Sequence, residues 1–306
     1  MSAAADGRSA HREGQTFAGE SRLVRYVNFV KLPHTVFTLP FALVGVILAT
    51  YVAPVTPALI GWIVLAFAAA RFAAMGFNRI ADRTMDARNP RTAMRELPSG
   101  TMRLTEAWGL VAGAVALFEF ATWNINTLCL ALSPVAVGWV FFYSFTKRFT
   151  RWSHLVLGFG MGIAPVGGYL AVTGQWSDPW WLLVALALAV MTWGAGFDVM
   201  YALQDVAFDR LHGLFSLPAA IGARAAIRVA RALHALTVCF LAAVGIGAGR
   251  GWIFGAGVAT VLALLAYEHS LVNAENQSKL DAAFFTMNGV ISMVLFGFVF
   301  AERVLA

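Results

Sequence analysis

The chain has 306 residues, 59% of them hydrophobic and only 12% charged, with two cysteines and a formal net charge of +6. An ordinary soluble domain carries a charged share of about 25%, so the composition excludes a pair of soluble domains and points to a polytopic membrane protein. The basic excess then answers to anionic lipid at the loops and to an anionic substrate, not to nucleic acid.

Residues 1–20 are polar and lack the apolar core of a signal peptide, so they read as a disordered cytoplasmic tail ahead of one transmembrane domain over 21–306. Nine apolar stretches follow, near 36–52, 57–77, 104–123, 127–145, 155–173, 179–201, 229–249, 252–271 and 282–301. Each is about long enough to cross a bilayer as a helix, and the first is expected to start earlier, with a break near Pro33. Cys129 and Cys239 fall inside two of these stretches and read as buried small hydrophobes. Of the 22 Lys and Arg residues, only Arg250 and Arg303 fall opposite the N-terminal tail, and Arg71 lies within a span. The others gather in the tail and just after it up to Lys31, in the 78–103 loop, Lys147–Arg151, the 210–231 region and near Lys279. This bias puts the N-terminus in the cytoplasm and, after nine spans, the C-terminus on the other side of a membrane taken as a bacterial plasma membrane.

The second span runs into "NRIADRTMDARNPRTAMRELPSG", residues 78–100, where charges concentrate beside lipid. Asn78, Asp82 and Asp86 follow i, i+4, i+8, so on a helix they share one face, with about 6 Å of rise between neighbours. Arg71, two turns earlier, lies on nearly the same face, and a charge inside a span faces a cavity or a partner in preference to lipid. After the sixth span, Asp198, Tyr201, Asp205 and Asp209 recur at spacings of three, four and four and are expected to form a second helical face on the same side of the membrane. Both clusters have the form DxxxD and both run into Leu-Pro, a faint internal repeat.

Four carboxylates on two facing helix ends, Asp82, Asp86, Asp205 and Asp209, suit Mg²⁺, which takes oxygen ligands together with substrate phosphates. Arg83, Arg91, Arg95, Lys147 and Arg148 can hold the remaining phosphate charge. Together they describe a site that stabilises a diphosphate leaving group. Other polar residues have plainer readings. Glu119 inside the third span is protonated or paired with Arg71. His212 is a turn residue, and Lys31, near Asn28, is a cytoplasmic anchor. Gly158, Gly160, Gly162, Gly167 and Gly168 permit close helix packing.

The pair "NRIADRTMDARNPRT" and "DVMYALQDVAFD" resembles the two Asp-rich motifs of the UbiA superfamily of intramembrane prenyltransferases, and the resemblance covers nearly the whole chain. It implies an all-α transmembrane bundle of nine helices with both motifs at cytoplasmic helix ends. The implied reaction is Mg²⁺-dependent transfer of a polyprenyl group from its diphosphate to a small aromatic acceptor. Asn78, Asp82 and Asp86 match the first motif, Asp205 and Asp209 the second, and Asp198 and Tyr201 the residues leading into it. "YSFTKRFT", residues 143–150, resembles the family's Tyr-x-x-x-Lys-Arg stretch and implies a phosphate-side role for Lys147 and Arg148. Arg79 departs from the pattern, since many members have Asp there. That departure, with "RELPSG", "QD" and "HGLFSLPA", resembles the subgroup linked to the futalosine route to menaquinone. The expected acceptor is 4-hydroxybenzoate or 1,4-dihydroxy-6-naphthoate. Asp198 is expected to orient the acceptor hydroxyl or take a proton, Arg71 to pair with its carboxylate, and Phe77 or Phe197 to shield a carbocation. The alternatives are a transporter of an anionic metabolite, a CDP-alcohol phosphotransferase, and a superfamily member acting on haem or a chlorophyll precursor.

Overall fold

Every described element is helical, because a chain in lipid must satisfy its backbone hydrogen bonds within itself. The structure, a computed structural model, describes residues 21–30, 32–272 and 286–305. The expected tail over 1–20, Lys31, Lys279 and the first residues of the ninth expected span lie outside the described residues.

A short helix α1 (Arg22–Phe29), N-capped by Ser21, leads through a break into α2 (Leu32–Ala49). The membrane-length helices are α3 (Pro57–Asp86), α4 (Leu104–Ile125), α5 (Thr127–Thr146), α6 (Ser153–Thr173) and α7 (Trp181–Tyr201). A 3₁₀ turn (Ala202–Asp205) and the short helices α8 (Val206–Leu211) and α9 (Leu217–Ile221) follow. The chain then completes the bundle with α10 (Ala223–Gly247), α11 (Trp252–Leu271) and α12 (Asn288–Leu305). Among the described residues eight helical segments are long and apolar enough to span, and the first expected span, near 36–52, is represented by the shorter apolar stretch Thr38–Ala49 of α2.

α7 is the central helix. Leu183, Leu186, Ala189, Val190 and Trp193 are each at most 1% exposed, as expected of a helix that is apolar all round. It packs between α6 and α10. Glycines set how closely α6 approaches its neighbours. A Cβ on Gly158 or Gly162 would run into the α7 carbonyls of Met191 and Ala187, and one on Gly168 into Ala42 O of α2. Gly45 of α2 answers from the other side, where a Cβ would meet Pro165 O of α6. Gly167 differs from the expectation, with nothing within 4 Å of such a Cβ. Cys239 also differs, lying exposed on the bundle surface, while Cys129 is partly buried.

Helix ends are held by polar groups in the loops. Asn126 closes α4 and caps α5, accepting from Cys129 N at 2.8 Å while its Nδ2 donates to Leu170 O at 2.9 Å on α6. Glu302 of α12 accepts from the first amides of α11, Gly251 N and Phe254 N.

Because the atom that a Gly45 side chain would strike is backbone, Gly45→Ala is expected to destabilise the protein by about 1–3 kcal/mol. Gly61→Ala, with open space around it, is expected to be neutral or stabilising, by up to about 1 kcal/mol. Unfolding midpoints of the two variants in one detergent check the contrast.

Candidate active site

At 30 residues, α3 is about 45 Å long, whereas the hydrocarbon core is about 30 Å thick. Its last turns therefore project past the apolar layer, carrying Asn78, Asp82 and Asp86. Asn78 Nδ2 donates to Asp82 Oδ2 at 2.9 Å, a contact along one helix face that the i, i+4 spacing dictates.

The end of α7 meets this segment across a cavity of about 240 Å³. Asp198, Tyr201, Asp205 and Asp209 all line it, with Asn78, Asp82 and Asp86 opposite. The expected single helical face is corrected here. The 3₁₀ turn over Ala202–Asp205 interrupts the helix, so Asp209 reaches the cavity from a separate short helix.

Arginines from the loop after α3 cross this gap. Arg91 holds Asp205 bidentately, Nε to Oδ1 at 3.1 Å and Nη2 to Oδ2 at 2.6 Å, and its Nη1 donates to Tyr201 Oη at 3.1 Å. Asn89 Nδ2 adds a bond to Asp205 Oδ1 at 3.2 Å. Arg95 Nη1 donates to Asp86 Oδ1 at 2.7 Å. Arg148 donates to Ala81 O at 2.6 Å and reaches Asp82 Oδ1 at 3.5 Å. Lys147, at the C-terminal end of α5, faces the same acids. Burial pushes its ammonium pKa down, but the carboxylates of Asp198, Asp209, Asp205 and Asp82 outweigh this and hold the pKa above the usual value. Asp86 Oδ2 and Asp209 Oδ2 are buried without a hydrogen-bond partner. As the side chains stand, no three carboxylate, His or Cys groups among the described residues converge on one metal position.

A second, apolar cavity of about 600 Å³ runs into the bundle beneath the charged one. Thr38, Arg71, Tyr143, Leu157 and Met161 line both. Arg71 therefore sits at the junction, where its Nε is buried without a partner. The apolar cavity also reaches the surface residues Leu132, Val135, Phe159 and Val184, so its wall opens between α5, α6 and α7 toward lipid.

Sequence reasoning missed His154, at the start of α6. It is 2% exposed, its Nδ1 lies 2.6 Å from Asp198 Oδ2, and its Nε2 accepts from Leu217 N at 3.3 Å. Both partners are distant in sequence, so no local pattern announces it.

Several expected residues lie elsewhere. Arg83 is exposed, bonds Ile80 O of its own helix at 2.8 Å and is absent from the cavity lining. Phe77 stacks on Phe141 with centroids 4.0 Å apart, in an aromatic cluster with Trp108 and Phe145. Phe197 does line the charged cavity. Glu119 accepts from Ser133 Oγ at 2.5 Å, not from Arg71. His212 bonds Phe208 O and stacks on its ring, as a turn residue does. Arg79, which stands in place of the usual acid, is buried and donates to Phe29 O at the end of α1.

A membrane bundle that gathers the acids and bases of two helix ends above an apolar, lipid-facing cavity has the architecture of an intramembrane prenyltransferase. The UbiA prenyltransferase family matches residues 38–290, and the chain belongs to that family. It is 32% identical over 221 residues to the 4-hydroxybenzoate octaprenyltransferase of Shewanella halifaxensis, covering 72% of this chain and 75% of that one. The apo structure of a UbiA homologue from Aeropyrum pernix superposes with a TM-score of 0.80 at 32% identity, over 88% of this chain and 98% of that one. A homologue from Archaeoglobus fulgidus, solved with GPP and Mg²⁺, shares the fold at a TM-score of 0.72 and 21% identity, over 92% of this chain and 99% of that one. The protein is thus a prenyltransferase, and the transporter and CDP-alcohol phosphotransferase readings fall away.

Arg91 and Asp205 are only 19% and 11% exposed, so breaking their pair strands a charge. In a double-mutant cycle of Arg91→Met and Asp205→Asn, read by unfolding midpoints in detergent, a coupling of about 1–3 kcal/mol is expected. Additive effects would mean that the pair does not hold the 87–103 loop to α7.

Proposed function

We propose that the protein transfers a polyprenyl group from its diphosphate to an aromatic hydroxy acid, 4-hydroxybenzoate or 1,4-dihydroxy-6-naphthoate, in the synthesis of a respiratory quinone. The observation that carries this reading is the meeting of the charged and apolar cavities at Arg71 and Tyr143. A prenyl diphosphate has the same two-part character, and its reacting carbon would lie at that junction.

On this reading the diphosphate occupies the charged cavity, its oxygens held by Lys147, Arg91, Arg95 and Arg148. The buried, unpartnered Asp86 Oδ2 and Asp209 Oδ2, among donors that are all oxygen, fit a hard cation such as Mg²⁺. Asp82, Asp86, Asp205 and Asp209 would hold it, with Asn78 steadying Asp82. Bound there, Mg²⁺ supplies positive charge to the departing diphosphate. Tyr201 steadies Arg91, whose guanidinium also lies 5.4 Å from its ring centroid.

The prenyl chain lies in the apolar cavity, which keeps water from the allylic carbocation. The opening toward lipid leaves room for a chain longer than the cavity itself. Arg71, with its unpartnered Nε at the junction, receives the acceptor carboxylate. The electron-rich ring attacks the cation, and Asp198 takes the ring proton as aromaticity returns. Arg250 and Arg303 both stack on Tyr51, away from the site. This supports a cytoplasmic active site, an N-terminus on that side and a C-terminus on the other, in one domain over 21–306.

The test is an assay of purified protein in detergent with Mg²⁺ and a long-chain prenyl diphosphate, each acceptor being offered separately. One acceptor is expected to be prenylated, and Asp82→Ala is expected to lower that rate by at least about 10²-fold. Chelation of Mg²⁺ is expected to weaken prenyl diphosphate binding, read by calorimetry. Diphosphate binding without transfer to either acceptor would overturn the acceptor class.

A further inference from the structure

We infer that His154 is a positioning residue for proton removal, holding Asp198 as an ionised carboxylate aimed at the acceptor ring. The inference rests on the prenyl-transfer reading above and goes beyond it in assigning a role to a residue outside both Asp-rich motifs.

The hydrogen bonds fix the protonation of the imidazole. Leu217 is not proline, so its amide can only donate, and His154 Nε2 must accept from it at 3.3 Å. An imidazolium has no acceptor nitrogen. The ring is therefore neutral, with its proton on Nδ1, and donates to Asp198 Oδ2 at 2.6 Å. A carboxylic acid could not offer that oxygen as well as an anion does, so the bond favours ionised Asp198.

The geometry then divides the two carboxylate oxygens. Oδ2 is bound to His154, while among the described residues Oδ1 receives no hydrogen bond. The Asp198 side chain remains 19% accessible and lines the charged cavity, whereas His154 is 2% accessible and does not. Asp198 is thus the group that meets the substrate, and His154 acts through it.

In the step itself, the C–H bond at the newly prenylated ring carbon breaks. Its electron pair restores the aromatic ring, and the proton forms an O–H bond on Asp198 Oδ1. His154 Nδ1–H remains bonded to Oδ2 throughout, so no proton passes through the imidazole, and the proton leaves by the charged cavity.

Two substitutions separate the two bonds of the imidazole. His154→Gln places an amide oxygen near the Nε2 position, keeping an acceptor for Leu217 N–H, but leaves no donor for Asp198. His154→Asn keeps a donor near the Nδ1 position and loses the acceptor for Leu217. Turnover is measured with Mg²⁺ over a range of prenyl diphosphate concentrations up to saturation, and with the preferred acceptor carrying hydrogen or deuterium at the ring position that is prenylated. Calorimetric binding of prenyl diphosphate reports whether each variant is folded.

For His154→Gln, kcat is expected to fall by about 10-fold or more, KM for prenyl diphosphate to stay within about two-fold, and a primary isotope effect absent from the wild type to appear. His154→Asn is expected to lose less turnover and to show no new isotope effect. Equal losses in both variants without an isotope effect, or a larger loss in His154→Asn, would overturn the inference and leave His154 as a brace for α9. Loss of diphosphate binding in His154→Gln alone would also overturn it. A wild-type enzyme that prenylates neither acceptor would remove the functional reading itself, and with it this step.

Discussion

Charge beside lipid must be neutralised within the protein, and that requirement organises this site. Asp82, Asp86, Asp198, Asp205 and Asp209 all line one cavity, and the first four pair with Arg148, Arg95, His154 and Arg91, none of which belongs to the helix of its acid. The bidentate Arg91–Asp205 pair joins the two ends, drawing the 87–103 loop onto the end of α7. Arg95 on Asp86 folds the same loop back onto α3, and His154 brings in α6. Without these pairings the acids of α3 and α7 would repel across a gap of low dielectric, and neither helix end could stay where it is.

The apolar half of the active site follows from packing. Gly158 and Gly162 press α6 onto α7, and Gly168 presses it onto α2. Gly167 has open space where a Cβ would stand, and it borders the apolar cavity. A single helix thus both closes the bundle and leaves room within it. Larger residues at these positions would either part the helices or fill the apolar cavity.

The charged half was largely legible in the sequence, because helix periodicity alone puts Asn78, Asp82 and Asp86 on one face. The same periodicity explains two misses. Arg83 follows Asp82 by one residue, and Phe77 precedes Asn78 by one, so each is turned about 100° from the acidic face. Arg83 accordingly points to solvent and Phe77 packs against Phe141. Arg91 and Arg95 were found by composition, whereas their partners depend on the path of the 87–103 loop, which no period encodes. Arg79 reads in sequence as a lost acid, and only the end of α1 supplies its purpose. His154 was invisible because both of its partners are tertiary.

The break after α7 ties these observations together. A continuous helix would keep Asp198, Asp205 and Asp209 near one face, yet it would carry the chain straight out of the membrane. The 3₁₀ turn and short α8 let the chain return, with Phe215 N bonding Lys147 O at 2.7 Å beside the cavity. That return sets the start of α9, whose first amides have no partner within the helix. Ser216 Oγ accepts from Ala219 N, Pro218 has no amide hydrogen to satisfy, and Leu217 N–H is left over. His154 Nε2 takes it. The unmet hydrogen bond of a five-residue helix thereby selects the imidazole tautomer that can donate to Asp198, so the loop that carries the second acidic motif also orients the carboxylate one helix away.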